Sequence, residues 1–201
     1  MTAQKEKVFN LKIDLKKGEG KHMLKISSSS YRKIFNFCLE EMINSLNAIS
    51  ANLFWNEHES VTFSKLNYEL YEAVRKKNYG NLKDIYKTLP RSVVDNAILD
   101  SIGYFNKWKR ERINSKETIH FPQGISKSDS RFFIIGSKKN LITFSSKGLY
   151  LPKCGRFYVI NSKDEDAKQF KGLYKRAKVI YQNEDCTWYC QLELKNKQYY
   201  K

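Results

Sequence analysis

The hydrophobic period of this chain changes once, and that change sets what it can fold into. Before Phe121 the apolar residues recur at helical spacing; after it they alternate in short runs divided by turn residues. One segment ahead of the helical stretch departs from this. Phe9, Leu11, Ile13 and Leu15 alternate with Asn10, Lys12, Asp14 and Lys16, the mark of a half-buried strand, and a Lys-Lys-Gly-Glu-Gly run ends it. One strand, three or four helices, then five or six strands is a segregated α+β order. The simplest architecture is a β-barrel whose first strand comes from the N-terminus, with a helical bundle inserted between strands. It divides the chain into a barrel domain of residues 1–26 and 121–201 and a helical domain of residues 27–120.

The elements follow from local signals. Ser27 to Ser30 offer N-caps for a helix of roughly 20 residues, whose apolar stripe is Ile34, Phe37, Cys38, Met42, Ser45, Leu46 and Ile49. A second helix from about Ser64 buries Leu66, Leu70, Ala73 and Val74 and closes at Gly80. Asn81 caps a short helix through Tyr86, and Pro90 breaks the chain. Ser92 then caps a long helix with an inner face of Val94, Ala97, Ile98, Ser101, Ile102, Phe105 and Trp108. Strands are predicted at Arg131–Ile135, Asn140–Phe144, Gly148–Leu151, Arg156–Ile160, Leu173–Tyr181 and Thr187–Leu194.

Charge narrows the function. The 201 residues hold 37 Lys+Arg against 21 Asp+Glu, a net +16, together with 12 Phe, 13 Tyr and 3 Trp. Cations attract phosphates and release their counterions, and aromatic faces accept stacked bases. The excess grows along the chain: +2 over residues 1–60, +5 over 61–120 and +9 over 121–201. A phosphate-facing surface is therefore expected mainly in the last two-fifths.

Other classes find little support. The chain contains no GxGxxG, Walker loop, HExxH or GxSxG motif. Asp95 and Asp100 lie five apart on one helix, about 140° out of phase, a poor arrangement for sharing a metal. The Asp164-Glu165-Asp166 run reads as solvated surface. Cys38, Cys154, Cys186 and Cys190, with His22, His58 and His120, make no metal-ligand set and are expected to be buried free thiols and scattered imidazoles. No catalytic residue, cofactor or metal is assigned. No apolar run approaches the ~20 residues that span a bilayer, and no signal-peptide h-region opens the chain, so a cytoplasmic protein with no membrane contact is expected.

Four segments could meet a polyanion. In Leu173–Ile180, strand alternation puts Lys175 on one face and Arg176 and Lys178 on the other, at a repeat of about 6.6 Å that approximates phosphate spacing. Leu151-Pro-Lys-Cys-Gly-Arg forms a turn with Lys153 and Arg156 at its tip. Tyr31, Arg32, Phe35 and Asn36 open the first helix, while Lys107, Lys109, Arg110 and Arg112 crowd the end of the long one. An ordinary helix C-terminus favours such cations too.

In order and spacing, these pieces resemble the N-terminal half of TnpB-type RNA-guided nucleases and compact type V CRISPR effectors. The resemblance is carried by Tyr31-Arg-Lys-Ile-Phe-Asn-Phe, Leu89-Pro-Arg-Ser-Val-Val-Asp-Asn-Ala-Ile, Phe105-Asn-Lys-Trp, Phe121-Pro-Gln-Gly, Leu151-Pro-Lys-Cys-Gly-Arg, Tyr174-Lys-Arg-Ala-Lys-Val and Trp188-Tyr-Cys-Gln-Leu-Glu-Leu. It implies a wedge-type barrel that grips a guide-RNA scaffold and a helical bundle that holds duplex. The RNA contacts expected are Lys138, Lys139, Lys153, Arg156, Lys175, Arg176 and Lys178. The duplex or DNA contacts expected are Tyr31, Arg32, Lys107, Lys109, Arg110 and Arg112. In that family a RuvC-like nuclease follows, whereas this sequence stops at Lys201, so no nuclease activity is carried over. Phe121-Pro-Gln-Gly also lacks the family's basic residues at that turn. The expectation is a non-catalytic RNA binder with guide or scaffold RNA as ligand. It would partner a RuvC-like subunit in a split complex, or act as an anti-CRISPR-like inhibitor on a guide RNA or effector complex. A basic protein–protein scaffold is the rival class.

Overall fold

A computed structural model describes residues 8–14, 20–48, 63–76, 88–114, 120–128, 131–137, 141–145, 147–160 and 174–194. These hold β1 (Val8–Asp14), α1 (Lys21–Ala48), α2 (Phe63–Lys76), α3 (Arg91–Asn114), β2 (Arg131–Ile135), β3 (Thr143–Ser145), β4 (Gly148–Leu151), β5 (Gly155–Ile160), β6 (Tyr174–Gln182) and β7 (Thr187–Leu194). The short helix expected at 81–86 and the stop at Gly80 lie outside the described residues.

All seven strands join one antiparallel sheet, in the order β2-β6-β7-β1-β5-β4-β3. β1 stands at its centre, with Leu11 opposite Cys190 of β7 and Ile13 opposite Val159 of β5. Its alternation explains the placement. Phe9, Leu11 and Ile13 are buried on the side that also takes Phe157, Ala177, Val179, Trp188 and Leu192, while Asn10 and Lys12 face outward.

The sheet is open, not the closed barrel expected from the sequence. β2 and β3 are its edges, and among the described residues no ladder joins them. The edges do curl toward each other: a Cβ on Gly136, just after β2, would lie 3.5 Å from the side chain of Ile142, just before β3. Two features oppose closure. β3 has three residues and β4 four, too few for a long closing ladder. The outward side of β2 is already occupied by helix. Phe132 faces Trp188 in the core, at 6.4 Å between ring centroids, whereas Phe133 turns the other way onto Tyr31 of α1, at 6.1 Å. α1 and α3 thus cover this edge of the sheet.

α1 starts six residues before the serines expected to cap it. The Leu24 N–H donates to the Gly20 carbonyl at 3.0 Å and closes the first turn. Ser27, Ser28 and Ser30 lie buried inside the helix. Their small side chains let α1 approach the β4–β5 turn, where Ser27 Oγ sits 3.8 Å from Cys154 Sγ. Gly20 is closer still, since a Cβ there would fall 2.1 Å from the Phe157 ring. α1 therefore crosses the boundary expected between residues 26 and 27 without a break. Helices and sheet share one hydrophobic core.

α3 follows the sequence closely. Val93 N–H donates to the Pro90 carbonyl at 2.9 Å, and every residue of the expected inner face is buried. Ile34, Phe37, Cys38 and Met42 of α1 and Leu70 of α2 are buried as expected, with Ala73 and Val74 half-buried. The side chains of Ser45, Leu46 and Leu66 lie outside what the structure describes.

Candidate nucleic-acid interface

β6 does not alternate strictly. Tyr174 pairs with Leu194 and Arg176 with Glu193, so one residue is extra against β7, and it is Lys175. Tyr174 and Ala177 are both buried, while Lys175 is exposed and Arg176 and Lys178 are half-buried. The bulge thus brings all three cations to the solvent side, where plain alternation would have turned Lys175 toward the core.

These cations differ in what they have left to offer. The Arg176 guanidinium carbon lies 3.9 Å from the Phe133 ring centroid, and Glu193 stands across the ladder. Its Nε is buried with no hydrogen-bond partner. Lys153 occupies a left-handed turn position, φ 60°, and donates from Nζ to the Leu89 carbonyl at 3.3 Å, tying the β4–β5 turn to the start of α3. Lys178 faces Gln191 and Phe133 across its two ladders. Arg156, two residues into β5, is exposed opposite Tyr150. Lys138 and Lys139 lie outside the described residues.

The Arg156 neighbourhood holds groups the sequence reading passed over. Tyr158, Tyr150 and Ile160 are 51%, 39% and 37% exposed on the same outward face. Among the described residues, the side chains of Arg156, Tyr150 and Tyr158 enter no hydrogen bond, ion pair or ring contact. Alternation along β5 could have revealed this, because Arg156 and Tyr158 are two residues apart. The Arg156 and Lys175–Lys178 groups are not one cluster: β1 and β7 lie between their strands, a span of about 14 Å at ordinary strand spacing. The intervening face is mixed. Lys12 Nζ pairs with Asp185 at 3.2 Å, and the Tyr189 hydroxyl donates to the same carboxylate at 2.6 Å. The Tyr189 hydrogen bond, with Lys12, holds the Asp185 carboxyl below its usual range, and Asp185 in turn raises Lys12.

The helical set is dispersed. Tyr31 is fully buried, and its hydroxyl donates to Asp100 of α3, so it has no surface with which to meet a duplex. Burial and the Asp100 charge push its phenol far above the usual value. Lys109 is 8% exposed, also withdrawn from the surface. Lys107 pairs with Glu111 at 3.7 Å. Arg112 lies over the rings of Trp108 and Phe121, at 5.5 and 6.0 Å. Arg110 is exposed and Arg32 half-buried.

Segment 120–126 packs on the helices. Trp108 Nε1 donates to the His120 carbonyl at 2.8 Å, and the Asn36 amide makes both hydrogen bonds to the Ile125 backbone, at 2.8 and 3.1 Å. Between this segment, α1, α3 and β2 lies a cleft of about 660 Å³.

Three of the four cysteines, Cys38, Cys154 and Cys190, are buried as expected; Cys186, in the β6–β7 turn, is exposed. Among the described residues no three His, Cys, Asp or Glu side chains gather to hold a metal ion, and no helix is long and apolar enough to cross a membrane. No protein-family model matches the chain, and no curated protein matches it.

Proposed function

We propose that this protein binds RNA without cleaving it, on the outward face of its sheet. The observation that carries this is the Arg156–Tyr150–Tyr158 patch: a cation beside two open tyrosine rings, uncommitted to any side-chain partner among the described residues. Rings of this kind accept bases by stacking, while Arg156 and, about 14 Å away, Lys175 and Lys178 meet phosphates. A short single strand laid across the sheet spans both groups. The central place of β1 among the C-terminal strands supports the resemblance to the wedge region of TnpB-type nucleases, with the helices in the role of the recognition insert. On that resemblance the ligand is a guide or scaffold RNA. The protein serves either as the RNA-gripping part of a split complex or as an inhibitor that occupies a guide or its effector.

Ultraviolet crosslinking to RNA, followed by mass spectrometry of the crosslinked peptides, tests this. Adducts on Tyr150, Tyr158 and residues 174–182 are expected. Adducts confined to the helices, or none, contradict it. The proteins recovered with the complex from cells then separate the roles: a RuvC-like subunit marks the split complex, and an intact effector or its guide marks the inhibitor.

A further inference from the structure

The cleft between α1, α3, β2 and segment 123–126 is walled by Phe35, Tyr104 and Phe133; its charged groups are Asp100 and Arg131, and Gln123 and Ser126 also line it. Two observations mark it as kept open. Tyr104 is 42% exposed and Leu99 37%, although both sit on a helix whose inner face is fully packed. Gly103 lies in the interior of α3, where glycine is among the poorest helix formers, yet a Cβ there would meet nothing within 4 Å. No packing clash in the free protein requires glycine at that position. A side chain at 103 would take up cleft space that is open to an entering object.

The polar groups define that object. Tyr31 is the hydrogen-bond partner of Asp100, and Arg131 reaches the same hydroxyl, so carboxylate and guanidinium stand side by side around it. Arg131 Nε is buried without a partner. A carboxylate accepts two adjacent N–H groups, and a guanidinium donates to adjacent acceptors. Guanine carries this pattern on one rim: N1–H and N2–H next to O6 and N7. One of its flat faces suits the Tyr104 ring, which is 42% exposed at the cleft wall and packs its other side on Phe35 at 5.8 Å between centroids.

We propose that this cleft takes a single unstacked guanine base, deepening the RNA-binding function above and resting on it for the source of the base. Asp100 holds the N1–H and N2–H edge, Arg131 holds O6 and N7, and Tyr31 keeps the two side chains in place.

The test uses the full chain and fluorescein-labelled oligouridine, either uniform or with one central guanosine, adenosine, inosine or 7-deazaguanosine, with free GMP as a separate ligand. One guanosine is expected to tighten binding about tenfold over uridine. Inosine, lacking N2–H, and 7-deazaguanosine, lacking N7, lose most of that gain. G103L fills the cleft with a better helix former and removes the guanosine preference while leaving oligouridine affinity unchanged. Asp100→Asn weakens the preference in the same direction. Oligouridine binding with no guanosine preference overturns the cleft assignment and leaves the RNA-binding function standing. If no oligomer binds, RNA binding fails, and GMP decides the cleft: saturable binding lost in G103L retains a free guanine nucleotide as its ligand, and no binding overturns it. An adenosine gain equal to guanosine overturns the assignment of the two polar groups.

Discussion

Arg176 lays its guanidinium 3.9 Å from the centre of the Phe133 ring, on the edge strand where Phe133 itself is pressed against Tyr31 of α1. A cation that the sequence offers for phosphate is thereby engaged in packing β6 on the ring of β2 that meets the helix. Arg156, three strands away on the same face of the sheet, has no such engagement. The two arginines should separate in mutagenesis. Arg176→Ala is expected to cost about 1–2 kcal/mol of stability, since the cation–π contact is partly desolvated. Arg156→Ala should stay within about 0.5 kcal/mol of wild type and lose RNA affinity instead. Chemical denaturation and an anisotropy titration of both variants check this.

Gly20 and Gly103 give opposite expectations for one substitution. An alanine at 20 drives its Cβ into the Phe157 ring and the Cys154 carbonyl, at 2.1 and 2.8 Å. It should destabilise by about 1–3 kcal/mol, the usual cost of overpacking. Alanine at 103 meets open space and should stabilise α3 by about 0.5–1 kcal/mol through helix propensity. Thermal melts of the two variants should move in opposite directions.

The thiols report core integrity. Cys186 is exposed, whereas burial pushes Cys154 up to about 11 and Cys38 up to about 12, and raises Cys190 as well. A thiol reagent at pH 8 should modify one cysteine in native protein and four after unfolding. These raised values also set the alkaline limit. Above the unfolded thiol value near 9 the unfolded chain binds fewer protons than the folded one, so stability falls as pH rises from about 9 toward 12. Tyr174, pushed by burial to about 12, acts in the same sense above 10. Denaturation midpoints across pH 7–11 should show a flat region followed by this decline.

What the sequence reveals depends on the range of the forces involved. The burial pattern of β1 and the inner face of α3 were legible because period alone decides which side chains are apolar. The central place of β1 was not, because the same alternation fits an edge strand. The start of α1 was not legible: four serines look like caps, and only the close approach of Gly20 to Phe157 shows why the helix begins earlier. Closure of the sheet was misjudged because helix coverage of Phe133 is a tertiary event. The site divides in the same way. Arg156 was legible as an exposed cation, whereas Lys175 owes its exposure to a bulge that alternation does not show. The commitments of Arg176, Lys153 and Tyr31, to Phe133, Leu89 and Asp100, come from residues 43, 64 and 69 positions away. Tyr150 and Tyr158 were accessible to plain alternation, which sets Tyr158 beside Arg156 on β5 and Tyr150 opposite it on β4.

The most direct test of sheet-face RNA binding is the salt dependence of affinity for a single-stranded RNA, measured for wild type and for a variant carrying Arg156→Ala, Lys175→Ala and Lys178→Ala together. Each phosphate contact on a single strand contributes about −0.7 to the slope of log K against log salt, so removing three should flatten it by about 2. Equal slopes for the two proteins, or no binding by wild type at low salt, would contradict the assignment of RNA binding to this face.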